Sequence, residues 1–109
     1  MPSTHQFGVR SEDILPVIKT GRKSLEIRVA DEKRKKVRKS DFIIFNQQTI
    51  RRVVGIRRYP SFVEMLKIED PEKIMPGWTA TQILTGLRKI YTPQQEAQGV
   101  LVFELQVDQ

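Results

Sequence analysis

Residues 24–30, with the sequence SLEIRVA, alternate strictly between two kinds of side chain. The apolar positions are Leu25, Ile27 and Val29, and the polar positions between them are Ser24, Glu26 and Arg28. Successive side chains of a β-strand point to opposite faces, so this pattern predicts a strand that buries its apolar face. Its other face carries a carboxylate and a guanidinium group, which a purely structural strand does not need. The segment therefore predicts a strand at the floor of a polar pocket.

Four further strands are expected from composition and alternation. They are HQFGV near the start of the chain, DFIIF (41–45), TIRRVVGIRRY (49–59) and VLVFELQV (100–107). In the last of these, apolar residues occur on both sides, with Leu101 and Phe103 on one and Val100 and Val102 on the other. The turn NQQ between the second and third of these segments is typical of a hairpin.

Three helices are expected between the strands. They are RSEDILPVIKTG, capped by Ser11 or Asp13 and closed by Gly21; SFVEMLKIED, capped by Ser61; and TATQILTGLRKI, capped by Thr79 or Thr81. PEKIM predicts a short turn that begins with proline. The segment DEKRKKVRKSD is expected to be a loop or an exposed turn, and YTPQQEAQG is expected to be a loop.

The order of these elements has no regular βαβ rhythm. This excludes a doubly wound sheet and predicts an α+β domain, residues 1–109, built as a mixed β-barrel of about five to six strands with two to three flanking helices.

The composition excludes several kinds of site. The chain has no cysteine and a single histidine, His5, so we expect neither a metal site, nor a cofactor, nor a serine–histidine triad. No apolar run approaches the ~20 residues that span a bilayer. The first ten residues, MPSTHQFGVR, lack the apolar core of a signal peptide. We expect a cytoplasmic protein that does not enter the membrane.

The positive charge is concentrated in one part of the chain. The formal net charge is +6, yet residues 17–40 alone hold ten basic and three acidic residues. A second basic group brackets the run VVGI. This clustering favours a polyanionic partner such as RNA, although a lysine-rich stretch is also typical of a solvated turn.

Several stretches together resemble the ASCH domain family, whose fold is similar to the PUA domain. They are GRKSLEIR with its following basic turn, SDFIIF, VVGIRRYPSFVEML and the closing IYTPQQEAQGVLVFEL. The hallmark positions of the family are matched by Gly21, Lys23, Glu26 and Arg28. The resemblance extends from about Gln6 to Val107.

The resemblance implies a six-stranded pseudobarrel with a cleft beside the motif, and RNA binding. Some small members are amidohydrolases that act on N(4)-acetylcytidine, and others have been proposed to cleave RNA. In the amidohydrolases the motif lysine is the base and a threonine three residues later is the nucleophile. Here Lys23 is present, but Glu26 stands where that threonine belongs. The acidic proton donor of those enzymes would correspond to Glu69 or Glu72.

Each motif residue has two interpretations. Lys23 either interacts with the C-terminal end of the preceding helix or contacts a phosphate, and it could also act as an activated amine. Glu26 and Arg28 either form an exposed ion pair or face a ligand, where the carboxylate accepts from a cytosine amino group or acts as a general base. Ser24, beside Lys23, is a conceivable nucleophile.

Other candidate residues are expected to contact RNA. Tyr59 and Tyr91 are candidates for stacking on a base. Trp78 either lines the mouth of the cleft or caps the core. The remaining candidates for ligand contact are Lys19, Arg22, Lys35, Lys36, Arg58 and Ser61.

The sequence therefore predicts an RNA-binding domain, monomeric by preference. Its cleft engages a nucleotide through Lys23, Glu26 and Arg28, and a basic loop holds the phosphate backbone. The alternative is a small hydrolase that acts on a modified nucleoside, or an endoribonuclease, with Lys23 and Glu26 as the acid–base pair.

Overall fold

A computed structural model describes residues 1–9 and 14–107. The strands of this part of the chain are β1 (Thr4–Phe7), β2 (Leu25–Val29), β3 (Phe42–Phe45), β4 (Thr49–Tyr59) and β5 (Val100–Leu105). Its helical segments are α1 (Ile14–Lys19), α2 (Glu32–Lys35), α3 (Phe62–Ile68), α4 (Pro71–Ile74), α5 (Ala80–Ile90) and α6 (Pro93–Glu96).

The five strands form one sheet in the order β1-β3-β4-β5-β2, curled into a half-barrel. β1 runs parallel to β3, and the other neighbouring pairs are antiparallel. A β-bulge between Val53 and Gly55 interrupts the register of β4 against β5. Such a bulge bends a strand and helps a sheet to curl. The predicted mixed α+β arrangement is confirmed.

The sheet separates two hydrophobic cores. Inside the half-barrel, Phe7 meets Phe45 and Phe103 edge to face, with ring centroids 6.2 and 5.6 Å apart. On the outer face, Val100 and Val102 of β5 pack with residues of α3, α4 and α5. The two faces of β5 contribute to the two cores, so this strand is apolar on both sides, as its sequence predicts.

Two segments without a predicted helix each contain one turn of helix. In the basic segment, expected to be a loop or an exposed turn, Asp31 caps α2 by accepting a hydrogen bond from the backbone N–H of Arg34 at 2.8 Å. Asp31 thereby satisfies a free N–H at the helix start, and the segment forms a short helical turn with no buried residue. In YTPQQEAQG, Thr92 and Gln95 form a capping box that starts α6, with Pro93 at its first position.

Gly21 ends α1 as predicted. Its φ of +81° is a backbone conformation that favours glycine, and a Cβ there would lie 2.5 Å from Cγ1 of Val107. The backbone N–H of Lys23 then bonds the carbonyl oxygen of Val17 at 2.8 Å, which sets the entry of the chain into β2. The predicted caps Ser11 and Asp13 lie outside the described residues.

Candidate functional site

A cleft of about 610 Å³ lies between β2 and α5. Its polar lining comes from the β2 motif and from α2, and its apolar lining comes from α5 and the segment after α4. Its lining includes the charged and aromatic side chains of Lys23, Glu26, Arg28, Arg34, Trp78 and Tyr91. Glu26 and Arg28 pair with Phe103 and Leu101 of β5, so both rise from the inner face of the half-barrel.

The amine of Lys23 is buried and surrounded by acceptors. Nζ donates to the carbonyl oxygen of Leu25 at 2.9 Å and to that of Ile74 at 2.8 Å. The carboxylate of Glu26 is 3.4 Å away. Two backbone carbonyl oxygens and the nearby carboxylate therefore fix the position of this amine. The Ile74 bond also ties β2 to α4.

Glu26 is a buried carboxylate between two cations. Its side chain is 8% exposed, and Oε2 lies 3.5 Å from Nη2 of Arg28. Burial raises the pKa of Glu26, but the positive charges of Lys23 and Arg28 outweigh this effect and hold the pKa below its ordinary value. Both distances to the cations are long for hydrogen bonds. The ionised carboxylate therefore keeps capacity to accept from a ligand.

Arg28 connects the cleft to the opposite edge of the sheet. Its Nη2 donates to the carbonyl oxygen of Gly8 at 2.6 Å, and its guanidinium carbon lies 4.7 Å from the centre of the Phe7 ring. β2 and β1 are the two edge strands, so Arg28 holds them together while its remaining donors line the cleft.

Two aromatic side chains line the opening. Trp78 is 46% exposed, and its ring passes close to Gly86 of α5, where a Cβ would lie 3.4 Å from Cζ3. Tyr91 stacks at a tilt on Phe62, with centroids 5.9 Å apart. Burial raises the pKa of Tyr91, while the charges of Arg28 and Arg34 oppose that rise. The sequence left the position of Trp78 open, and the structure places it at the mouth.

The sequence did not single out Arg34. It lies within a run of basic residues that the sequence does not distinguish from one another. The N-cap residue of α2, Asp31, holds the side chain of Arg34 towards the cleft. Asp31 accepts from both its backbone N–H, at 2.8 Å, and its Nη1, at 3.0 Å. Its guanidinium carbon lies 5.0 Å from the centre of the Phe7 ring. Lys35 and Lys36, which were predicted contacts, are exposed, and Lys35 pairs with Glu32 at 2.7 Å.

Arg22 and Ser24 line a different depression, beside α3 and α4. Its central group is Arg57, which donates to both carboxylate oxygens of Glu69, at 2.6 and 2.9 Å, and to Glu104 at 2.7 Å. Burial raises the pKa of Glu69, but the hydrogen bonds from Arg57 and Tyr59 outweigh it and lower the pKa. Neither Arg22 nor Ser24 is among the residues that line the cleft.

Tyr59 belongs to this second network. Its hydroxyl donates to Oε2 of Glu69, and its ring packs against the outer core. Burial raises the pKa of Tyr59, and the hydrogen bond to Glu69 adds to the rise. Glu72 accepts from the backbone N–H of Gly77 at 3.1 Å. The structure thus places Tyr59, Glu69 and Glu72 outside the cleft lining.

The remaining candidates lie apart from the cleft. Ser61 caps α3 through the N–H of Glu64 at 3.1 Å. Arg58 is exposed and donates to the carbonyl oxygen of Gln98 at 2.8 Å. Lys19 is exposed at the end of α1.

Within residues 1–9 and 14–107, no cluster of three or more metal-ligating side chains occurs. In the same part of the chain, no helix has the length and apolar character needed to cross a membrane.

The half-barrel sheet with its flanking helices defines the class of protein as PUA-like. A model of the ASCH domain family matches residues 12–107, and the chain belongs to that family. The fold is similar to the crystal structure of the hypothetical protein PH0355, with a TM-score of 0.87 and 34% identity over 95% of this chain and 97% of that one. It is also similar to the solution NMR structure of protein PF0455 from Pyrococcus furiosus, with a TM-score of 0.79 and 33% identity over 94% and 96% of the two chains. No curated protein matches the sequence.

Proposed function

We propose that the chain is an RNA-binding ASCH domain that takes one nucleotide of an RNA strand into the cleft between β2 and α5. The observation that supports this most directly is Glu26. It is a buried, ionised carboxylate at the floor of an open cleft, and within the described residues its contacts to Lys23 and Arg28 are no shorter than 3.4 Å.

The size and lining of the cleft suit a nucleotide. Its volume of about 610 Å³ lies within the range of ~300–1,000 Å³ that is usual for small-ligand sites. Trp78 offers an exposed ring at the mouth on which a base can stack. Glu26 can then accept from an exocyclic amino group, which cytosine has and uracil lacks.

The charge around the cleft suits an RNA backbone. α2 supplies Arg34 to the cleft lining, and its other basic residues, Lys33 and Lys35, are exposed beside it. Lys36, Arg38 and Lys39 follow directly and are also exposed. Positive side chains next to the mouth attract the phosphates on either side of a bound nucleotide.

Binding is favoured over hydrolysis by the same side chains. The amine of Lys23 donates to two backbone carbonyl oxygens and lies 3.4 Å from Glu26, which supports a positioning role for this lysine rather than the role of a base. Neither Glu69 nor Glu72 is part of the cleft lining, so neither is placed to donate a proton there. Glu26 occupies the place of the threonine nucleophile of the amidohydrolases that the family includes.

The test compares cytosine-containing with uracil-containing oligonucleotides of equal length. The wild-type protein should prefer cytosine by ~1–3 kcal/mol, the worth of one good base-edge contact. Glu26→Gln should lose this preference, since an amide both donates and accepts. Glu104→Gln is the matched control, because Glu104 pairs with Arg57 on the same sheet outside the cleft.

Two results would contradict the proposal. The first is a wild-type protein without base preference or without RNA affinity at low salt. The second is a preference that survives Glu26→Gln in a folded variant. Turnover of N(4)-acetylcytidine that disappears with Lys23→Met would favour the hydrolase instead.

A further inference from the structure

We propose that the cleft holds a phosphate group of its nucleotide on the guanidinium groups of Arg28 and Arg34, and so selects a phosphorylated nucleotide over the free nucleoside. This inference rests on the proposed function and names a ligand class for the same cleft.

The two arginines converge on one ring. The guanidinium carbon of Arg28 lies 4.7 Å from the centre of the Phe7 ring, and that of Arg34 lies 5.0 Å from the same point. They come from different elements, β2 and α2, and both line the cleft. Phe7 is 1% exposed, so it fixes both planar groups at one end of the cleft.

Both groups keep donors that protein atoms do not use. Arg28 uses only Nη2, which donates to Gly8 and lies 3.5 Å from Oε2 of Glu26, and Arg34 donates through Nη1 to Asp31. Nε of Arg34 is buried and has no hydrogen-bond partner within the described residues. A buried donor without an acceptor destabilises the free protein, and an oxygen-rich anion can satisfy it.

The charges that line the cleft do not balance. The described lining contains three cations, Lys23, Arg28 and Arg34, against two carboxylates, Glu26 and Asp31. Glu26 is shared between Lys23 and Arg28, and Asp31 pairs with Arg34, which leaves one positive charge in excess. A phosphodiester carries one negative charge and neutralises it, whereas a nucleoside cannot.

Asp31 aligns Arg34 for this role. One of its carboxylate oxygens accepts from the backbone N–H of Arg34 and the other accepts from Nη1 of the same residue. This double attachment leaves the side chain little freedom, which reduces the entropy lost when an anion binds. Lys33, on the same turn of helix, is exposed and does not line the cleft.

The experiment measures the affinity of cytidine and of cytidine 5′- and 3′-monophosphate for the full chain by isothermal titration calorimetry at low salt. The variants are Arg34→Gln, Arg34→Lys and the control Lys67→Gln, which removes one exposed positive charge on α3, outside the cleft and the basic segment. We expect at least one monophosphate to bind tenfold or more tightly than cytidine to the wild type and to Lys67→Gln. The ratio should fall to near one in Arg34→Gln and to an intermediate value in Arg34→Lys.

Other outcomes overturn the inference in distinguishable ways. Equal affinity for cytidine and both monophosphates refutes phosphate selection but leaves a nucleotide cleft intact. If Arg34→Gln still binds a monophosphate tenfold or more tightly than cytidine, Arg34 does not hold the phosphate. Absence of binding by all three compounds refutes both the inference and the proposed cleft. Arg34→Lys keeps the positive charge and the aliphatic part of the side chain, so it tests the role of Arg34 if Arg34→Gln does not fold.

Discussion

Nη2 of Arg28 and the carbonyl oxygen of Gly8 are 2.6 Å apart, and this bond joins the two edge strands of the half-barrel. The sheet order places β1 and β2 at opposite ends, so the strands have no backbone pairing with each other. An arginine that lines the candidate site thus also holds the curled sheet in shape. Stability and ligand affinity should respond together when this residue is changed.

Arg28→Met should lower the free energy of unfolding by ~1.5–3 kcal/mol, the usual worth of a hydrogen bond to a charged group. The change also removes the stacking on Phe7. Urea unfolding monitored by circular dichroism measures this. Arg52→Met is the control, because Arg52 is exposed and contacts only the ring of Phe42 at 5.5 Å among the aromatic residues described. Equal effects of the two changes would contradict a role for Arg28 in joining the edges.

The loss of folding stability at acid pH should depend on Asp41. Backbone N–H groups of Ser3 and Arg38, together with His5, bond its carboxylate and lower its pKa from 3.8 to about 2. A lowered pKa in the folded state means that the contribution is fully present above pH 3.8 and is lost as the pH falls towards 2.

Urea unfolding at pH values from 6 down to 2 checks this dependence. Asp41→Asn cannot ionise, so its stability should vary less with pH across the window in which Asp41 titrates. The control is Asp70→Asn, which changes an exposed cap of α4. Parallel curves for wild type and Asp41→Asn would show that the acid sensitivity arises elsewhere.

The exposed lysines of the basic segment should contribute affinity without contributing packing. Lys33→Gln combined with Lys36→Gln should reduce the slope of log K against log salt by about 1.4, if each lysine neutralises one phosphate of a single strand. The melting temperature should change little, since both side chains are exposed. Fluorescence anisotropy at several salt concentrations measures the slope. An unchanged slope would place the RNA backbone on another surface.

Trp78 provides a direct signal of cleft occupancy. It is the only tryptophan in the sequence, and it lines the mouth of the cleft. Stacking of a base on its ring should quench the intrinsic fluorescence, and Trp78→Leu should weaken binding of every base by ~1–3 kcal/mol. The variant should fold normally because the ring is 46% exposed. Saturable RNA binding that leaves the fluorescence unaltered would mean that the bases bind elsewhere.

Local sequence patterns predicted most of the secondary structure. The alternation in residues 24–30 predicted β2, the apolar run in residues 100–107 predicted β5, and Gly21 predicted the end of α1. These features depend on backbone geometry and on which face is apolar, which neighbouring residues alone decide. The short helix α6 was not predicted, and the segment of α2 was expected only to be a loop or an exposed turn. In both segments one capping residue starts a single helical turn, which the polar composition does not reveal.

The sequence also predicted that Glu26 and Arg28 lie on one face of a strand, since residues two apart on a strand point the same way. It did not predict how far the two side chains are buried, because their burial depends on how β2 lies against α4, α5 and the end of β1. Lys23 shows this best, for its amine reaches the carbonyl oxygen of Ile74, 51 residues away.

Only the tertiary structure separated the candidate residues into two groups. Arg22 and Lys23 are neighbours in sequence, yet they line different depressions. Long-range packing places the hydroxyl of Tyr59 against the carboxylate of Glu69, and the guanidinium of Arg34 against the ring of Phe7. The sequence by itself determined the elements and the motif, whereas the curl of the sheet decided which charges share a cleft.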